Sequence, residues 1–159
     1  MTQAEKKKAI EDWREHCKQV QAMTKVVNVN ETPAEKDRRI ARLQKDYQAF
    51  CEYYFAHFMQ LRDETTGEVV KTIHNAPFHN AAARKVKETA NLKAVFKWPR
   101  GHAKSTHFDI FLPIWLMIQP KPLIHVMVVV SKSEDAAKAL LGDLQAELEF
   151  NQKLIADFG

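Results

Sequence analysis

Apolar residues recur at helical spacing through the first third of the chain. Ile10, Trp13, Cys17 and Val20 step by three and four. After an interruption at Val26-Val27-Asn28-Val29-Asn30, the period resumes as Ile40, Leu43, Tyr47, Phe50, Tyr54, Phe58 and Leu61. Steps of three and four put each set on one helical stripe, which predicts two helices able to pack as an antiparallel hairpin. Thr32-Pro33-Ala34-Glu35 marks the start of the second helix: Thr32 as N-cap, Pro33 in the first turn, Glu35 closing a capping box. Tyr47, Phe50, Tyr53, Tyr54, Phe55 and Phe58 make that helix aromatic, and its rings are expected to form core or a docking face before a base-stacking platform.

The pattern then changes character. Asp63-Glu64-Thr65-Thr66-Gly67-Glu68 is a polar turn, and it is expected to separate a helical arm at 1–66 from a second domain at 67–159. A cut there should leave the second part able to fold. A short extended piece at 69–73 precedes a helix opened by Pro77, with Ala81, Ala82, Ala83 and Val86 on a compact face. Residues 92–98 read as a strand, and an apolar helix follows the turn at 99–103. Pro120 and Pro122 mark the return to a near-continuous apolar run at 123–130, suited to a strand buried on both faces. Ser133 caps the last helix, with Glu134 and Asp135 in its first turn, where the dipole favours anions. Alternation of strand and helix predicts an α/β fold with a parallel sheet behind the hairpin.

Composition narrows the class. The 159 residues are 45% hydrophobic with only 4 Gly and 6 Pro, as in an ordered globular protein. No apolar stretch reaches the ~18 residues of a membrane span, and Met1 to Lys8 lacks the apolar region of an export signal. Cys17 and Cys51 lack metal-ligand spacing and read as reduced thiols. Charge is concentrated: from Arg84 to His107 seven Lys and Arg face Glu88 alone, whereas the whole chain carries +4. Arg84, Lys85 and Lys87 fit either a solvated helix face or a DNA-phosphate contact.

The chemistry gathers in Pro99-Arg100-Gly101-His102-Ala103-Lys104-Ser105-Thr106, placed between a strand and a helix. Such a turn aims backbone N–H groups, an ammonium and a hydroxyl at one point, which suits a polyphosphate and its Mg²⁺. The common phosphate-loop pattern is G-x-x-x-x-G-K-[ST]. Trp98 and Ala103 stand at its two glycine positions, while Lys104-Ser105 keeps its close. Lys104 would bridge the β- and γ-phosphates, Ser105 would hold Mg²⁺, and Thr106 would cap the helix or reach the α-phosphate. His102 is a loop position that tolerates many side chains. His102 with His107, and His74 with His79, are five apart, a poor spacing for two ligands on one helix face. Asp109 is expected to face solvent or pair with a Lys.

These motifs, with their order and spacing over roughly residues 74–159, resemble the large terminase subunit of tailed bacteriophages. Pro99 to Thr106 resembles that family's variant Walker A loop, with an early Arg at Arg100. Ser131 to Gly159 is similar in ending a strand with Ser, carrying Leu148-Glu149-Phe150-Asn151 on a helix, and closing on Phe158-Gly159. Ala76-Pro77-Phe78-His79 resembles the adenine-binding segment, with His79 where Gln is usual. The resemblance implies that Arg100 senses the γ-phosphate, a task suited to a guanidinium. It implies that Phe78 and His79 stack on and hydrogen-bond adenine, against the plainer reading of aromatics packed under a sheet.

The fold implied is a helical hairpin followed by the start of a P-loop NTPase sheet, in the order strand, P-loop, helix, strand, helix. The function implied is an ATPase that drives double-stranded DNA into a procapsid in the cytoplasm of a bacterial host. Its partners would be the small terminase subunit, the portal and further copies of itself. No Walker B strand appears, because the run at 126–130 ends in Ser131-Lys132. The coupling motif and the nuclease domain's acidic cluster are missing too. The chain is therefore expected to be the first part of such a subunit, binding ATP and Mg²⁺ without turning ATP over. Two other readings stay open: a non-catalytic interaction module with a vestigial P-loop, and part of a helicase-like ATPase.

Overall fold

The computed structural model describes residues 2–25, 30–63 and 65–159. The interruption expected at Val26 to Val29 lies outside the described residues, as does Glu64. The elements run α1 (Gln3–Met23), α2 (Pro33–Lys45), α3 (Tyr47–Tyr54), a 3₁₀ turn (Ala56–Phe58), β1 (Gln60–Arg62), β2 (Val69–Thr72), α4 (Pro77–Glu88), a π-helical segment (Thr106–Phe111) continuing into α5 (Leu112–Met117), α6 (Glu134–Phe150) and α7 (Gln152–Phe158). They form two compact units: one of 1–31 with 129–159, the other of 32–128. That division falls elsewhere than at residue 66.

In the larger unit, the expected start of α2 is present. Glu35 N–H donates to Thr32 Oγ1, and Thr32 N–H returns a bond to the Glu35 carboxylate at 2.9 Å. The single long helix expected from Thr32 to Leu61 is broken at Asp46. Its backbone is extended, and its carboxylate accepts from Ala49 N–H at 3.1 Å to cap α3. The break leaves carbonyls at the end of α2 without helical donors, a cost that side chains must relieve. Trp115 Nε1–H donates to Leu43 O at 3.0 Å, and Lys87 Nζ and Gln119 Nε2 donate to Gln44 O at 2.8 and 3.1 Å. These bonds tie α2 to α4 and α5.

Tyr47, Phe50, Tyr54 and Phe55 are buried, with Phe55 stacked on Phe111 at 4.4 Å between centroids. These four form core, whereas Tyr53 is half-buried and Phe58 is exposed. The polar turn at 63–68 is no linker. It closes an antiparallel hairpin in which Gln60 pairs with Thr72 and Leu61 with Lys71. Asp63 Oδ1 accepts Thr65 N–H and Thr66 N–H, both at 2.8 Å, and Gly67 takes φ +70.

That hairpin is the whole sheet among the described residues. The runs at 92–98 and 123–130, expected as parallel strands, carry no ladder bonds in the structure. A strand buried on both faces needs neighbours for its N–H and C=O groups. Here Val95, Val126, Val128 and Val130 are 79–86% exposed instead. A period of two nevertheless survives in burial: Phe96 and Trp98 turn inward, with Phe108 4.6 and 5.2 Å away, while Val95 and Lys97 turn out.

In the smaller unit, α1 and α6 pack together. Trp13, Cys17 and Val20 meet Ala146 and Phe150, with Trp13 edge-on to Phe150 at 6.0 Å. The apolar stripe of α1 is therefore covered by α6 rather than by the second helical stretch. Gly142 lies beneath the Trp13 indole, where an added Cβ would stand 3.8 Å from Nε1. Ser133 caps α6 as expected, accepting Ala136 N–H. Asn151 ends α6 and caps α7, accepting Lys153 N–H and Leu154 N–H at 3.2 and 3.3 Å. Its Nδ2 donates to the fully buried Glu147 carboxylate at 2.8 Å.

Candidate functional site

The turn at 99–103 has the backbone its sequence demands. Gly101 lies at φ +78 and Ala103 at φ +51, both in the left-handed region. For Gly101 this is free of strain. For Ala103 the Cβ makes it costly. The helix opens at Lys104 and Ser105, and His107 N–H donates to Ala103 O at 3.0 Å. Arg100, Gly101, His102, Ala103, Lys104 and Ser105 are all exposed, with Thr106 half-buried. The loop thus places two cationic side chains and a hydroxyl in solvent around a helix start.

Pro113 shapes the helix behind the loop. Proline has no N–H for a carbonyl four residues back, and its ring crowds that carbonyl. The chain answers with a π-helical segment, in which Leu112 N–H donates to His107 O, five residues back. Asp109 sits one turn after Ser105 and is half-buried. Burial pushes its carboxyl up, opposed by a hydrogen bond from the Ser105 hydroxyl and the nearby Lys104 ammonium. It therefore belongs to the loop's own surroundings, half-buried beside Ser105 rather than facing solvent.

Beneath the loop lies a cluster of rings. His79 stacks on His107 at 4.1 Å with 21° between planes, and Phe78 meets Trp98 edge-on at 5.0 Å. Tyr47, on α3, hydrogen-bonds His107 Nδ1 at 2.8 Å. Burial, with His79 alongside, brings His107 down to about 4. His79 is also lowered, chiefly by burial. Ala76 N–H donates to His79 Nδ1 at 3.0 Å, and His79 Nε2 lies 3.0 Å from His102 O. His102 in turn bonds Arg100 O through Nδ1 at 3.0 Å, so this residue folds back to stiffen the loop.

The structure thus brings Phe78 and His79 beside the loop. Both His79 ring nitrogens are engaged within the protein, so its hydrogen-bonding edge is not turned toward a base. His107 was not singled out as a site residue in sequence. It is a lone His in an apolar run, and its partner Tyr47 is sixty positions away. In the basic run at 84–87, Lys87 bonds Gln44 O and lies 4.4 Å over the Trp115 ring, and with Arg84 and Lys45 it lines a cleft of about 370 Å³.

Among the described residues no three His, Cys, Asp or Glu side chains converge to hold a metal ion. No helix among them is long and apolar enough to cross a membrane. No family model, curated protein or solved structure matches the chain.

Proposed function

We propose that the chain carries the nucleotide-binding part of a DNA-packaging ATPase of the large terminase type, with the turn at 99–106 as its phosphate loop. The reading rests on one observation: Gly101 and Ala103 both hold left-handed backbone immediately before Lys104-Ser105 opens a helix. Loops that cradle phosphate use such alternating backbone to turn successive N–H groups to one side. The donor set suits the ligand, because Lys104 and Arg100 supply fixed positive charge and Ser105 an oxygen for Mg²⁺. Bound Mg²⁺ would neutralise phosphate charge. Lys104 would hold the phosphates, and Arg100, from the start of the turn, would reach the terminal one. In this reading the runs at 92–98 and 123–130 are strands of a parallel sheet, and their outward valines are faces that further strands cover. Double-stranded DNA, the small terminase subunit, the portal and further copies of the chain are the partners this reading brings.

The core position of Tyr47, Phe50, Tyr54 and Phe55 weighs against a purely interacting module that would dock through those four rings. Titration of ATP and ADP with Mg²⁺ by calorimetry tests the proposal. Lys104→Ala should weaken both at least tenfold, since it leaves phosphate charge unpaired. Arg100→Ala should weaken ATP more than ADP. Absence of binding to the wild-type chain at millimolar nucleotide would remove the proposal. Equal losses in Arg100→Ala would remove only its γ-phosphate role.

A further inference from the structure

His79 is bonded at both ring nitrogens, and each bond has only one sense. A backbone N–H can only donate, so Nδ1, 3.0 Å from Ala76 N, must be the unprotonated acceptor. A carbonyl can only accept, so Nε2, 3.0 Å from His102 O, must carry the proton. The ring is thereby fixed as the neutral Nε2–H tautomer. One end is anchored in the first turn of α4, where it satisfies the N–H of Ala76, and the other holds a carbonyl inside the loop. Its face is seated on the buried His107 ring, itself fixed by Tyr47.

The His102–Ala103 peptide is trans, so its N–H points opposite to its C=O. Holding His102 O against α4 therefore turns Ala103 N–H away from α4. The same bond restrains one of the two peptides that flank the strained residue, Ala103 at φ +51. A non-glycine residue leaves this region readily unless its surroundings hold it there.

We propose that His79 is a positioning residue that braces the phosphate loop through the His102 carbonyl, and is not a reader of the nucleotide base. The proposal rests on the reading of this loop as a phosphate site, and it goes beyond it by reassigning His79. A brace acts on the loop whatever the ligand carries beyond its phosphates. A base reader acts only on ligands that have a base. Inorganic tripolyphosphate separates the two.

The experiment is calorimetric titration of the full chain with Mg²⁺-ATP and with Mg²⁺-tripolyphosphate, for wild type, His79→Phe, His79→Gln, His79→Ala and Lys104→Ala. His79→Phe keeps a ring on His107 and loses both hydrogen bonds. His79→Gln loses the ring and keeps an acceptor and a donor on one amide. The expected result is a roughly tenfold weakening of both ligands in His79→Phe and His79→Ala, by the same factor for each. His79→Gln should stay within about threefold of wild type. Far-UV circular dichroism establishes that each variant is folded, and His79→Phe carries the test if His79→Ala is not. Loss of ATP binding with tripolyphosphate binding unchanged would overturn the brace and restore a base-reading role. Wild-type affinity in His79→Phe would overturn it as well. Failure of the wild-type chain to bind either ligand, or indifference to Lys104→Ala, would overturn the phosphate-loop reading and the brace with it.

Discussion

Ala103 holds a backbone conformation that costs an L-residue about 1–2 kcal/mol, and glycine would relieve it while adding about 0.5–1 kcal/mol of unfolded-chain entropy. Ala103→Gly should therefore raise stability modestly, by up to about 1 kcal/mol in urea denaturation, and should leave ATP affinity unchanged or tighter. A destabilised variant would show that the neighbouring bonds exact more from this turn than φ +51 suggests. His107 gives a second prediction at this scale. Its native pKa is about 4, against about 6.5 for an unfolded chain. Above pH 6.5 neither state binds the proton and His107 adds no pH dependence. As pH falls from about 6.5 through 4 the unfolded state protonates first, so stability drops by up to about 3 kcal/mol. Denaturation series across that window should show the slope, and His107→Gln should flatten it. That Ala103 stands at a glycine position was legible in sequence, and the structure gives it the left-handed backbone that glycine would hold without strain. The stack of His79 on His107 was not, because neither residue has a neighbour in sequence that signals the other.

Caps were the most legible elements. Thr32 with Glu35, and Ser133 with Ala136 N–H, stand where the sequence put them, since a cap is decided within four residues. The break at Asp46 was hidden because Leu43, Tyr47 and Phe50 keep helical step across it. The apolar stripe continues while the backbone does not, and the bonds that relieve the break come from Trp115, Lys87 and Gln119, more than forty positions away. A stripe also states which face is buried without naming what buries it, hence the wrong partner for α1. Asn151 is the element-scale residue with most at stake, since it caps α7 and donates to the buried Glu147. Asn151→Ala should cost about 2–4 kcal/mol, combining a lost cap with a lost hydrogen bond to a buried carboxylate. Thermal and urea unfolding would measure it. A loss under 1 kcal/mol would mean that α7 is held by its packing alone.

At the scale of the whole chain, the sequence placed a boundary at the polar turn because composition changes there, but composition does not record which strands that turn joins. The turn connects β1 to β2, and the helices before it supply the cover for the helix after the loop. Trp115 is 2% exposed, with Tyr47 5.0 Å from it and Leu43 O on its indole N–H. Phe111 is covered by Phe55 at 4.4 Å. A fragment of residues 68–159 would keep the loop, Trp115 and Phe111 yet lose β1, Tyr47, Phe50 and Phe55. It should aggregate or unfold without a cooperative transition, exposing an apolar helix face with no partner. Residues 32–128 keep every one of those contacts and should unfold cooperatively in urea by circular dichroism and tryptophan fluorescence. Trp98 and Trp115 would be its reporters, since Trp13 lies outside it. The reverse outcome, a soluble cooperative 68–159 and an unfolded 32–128, would restore the division at the polar turn and refute the packing of α3 over the loop helix.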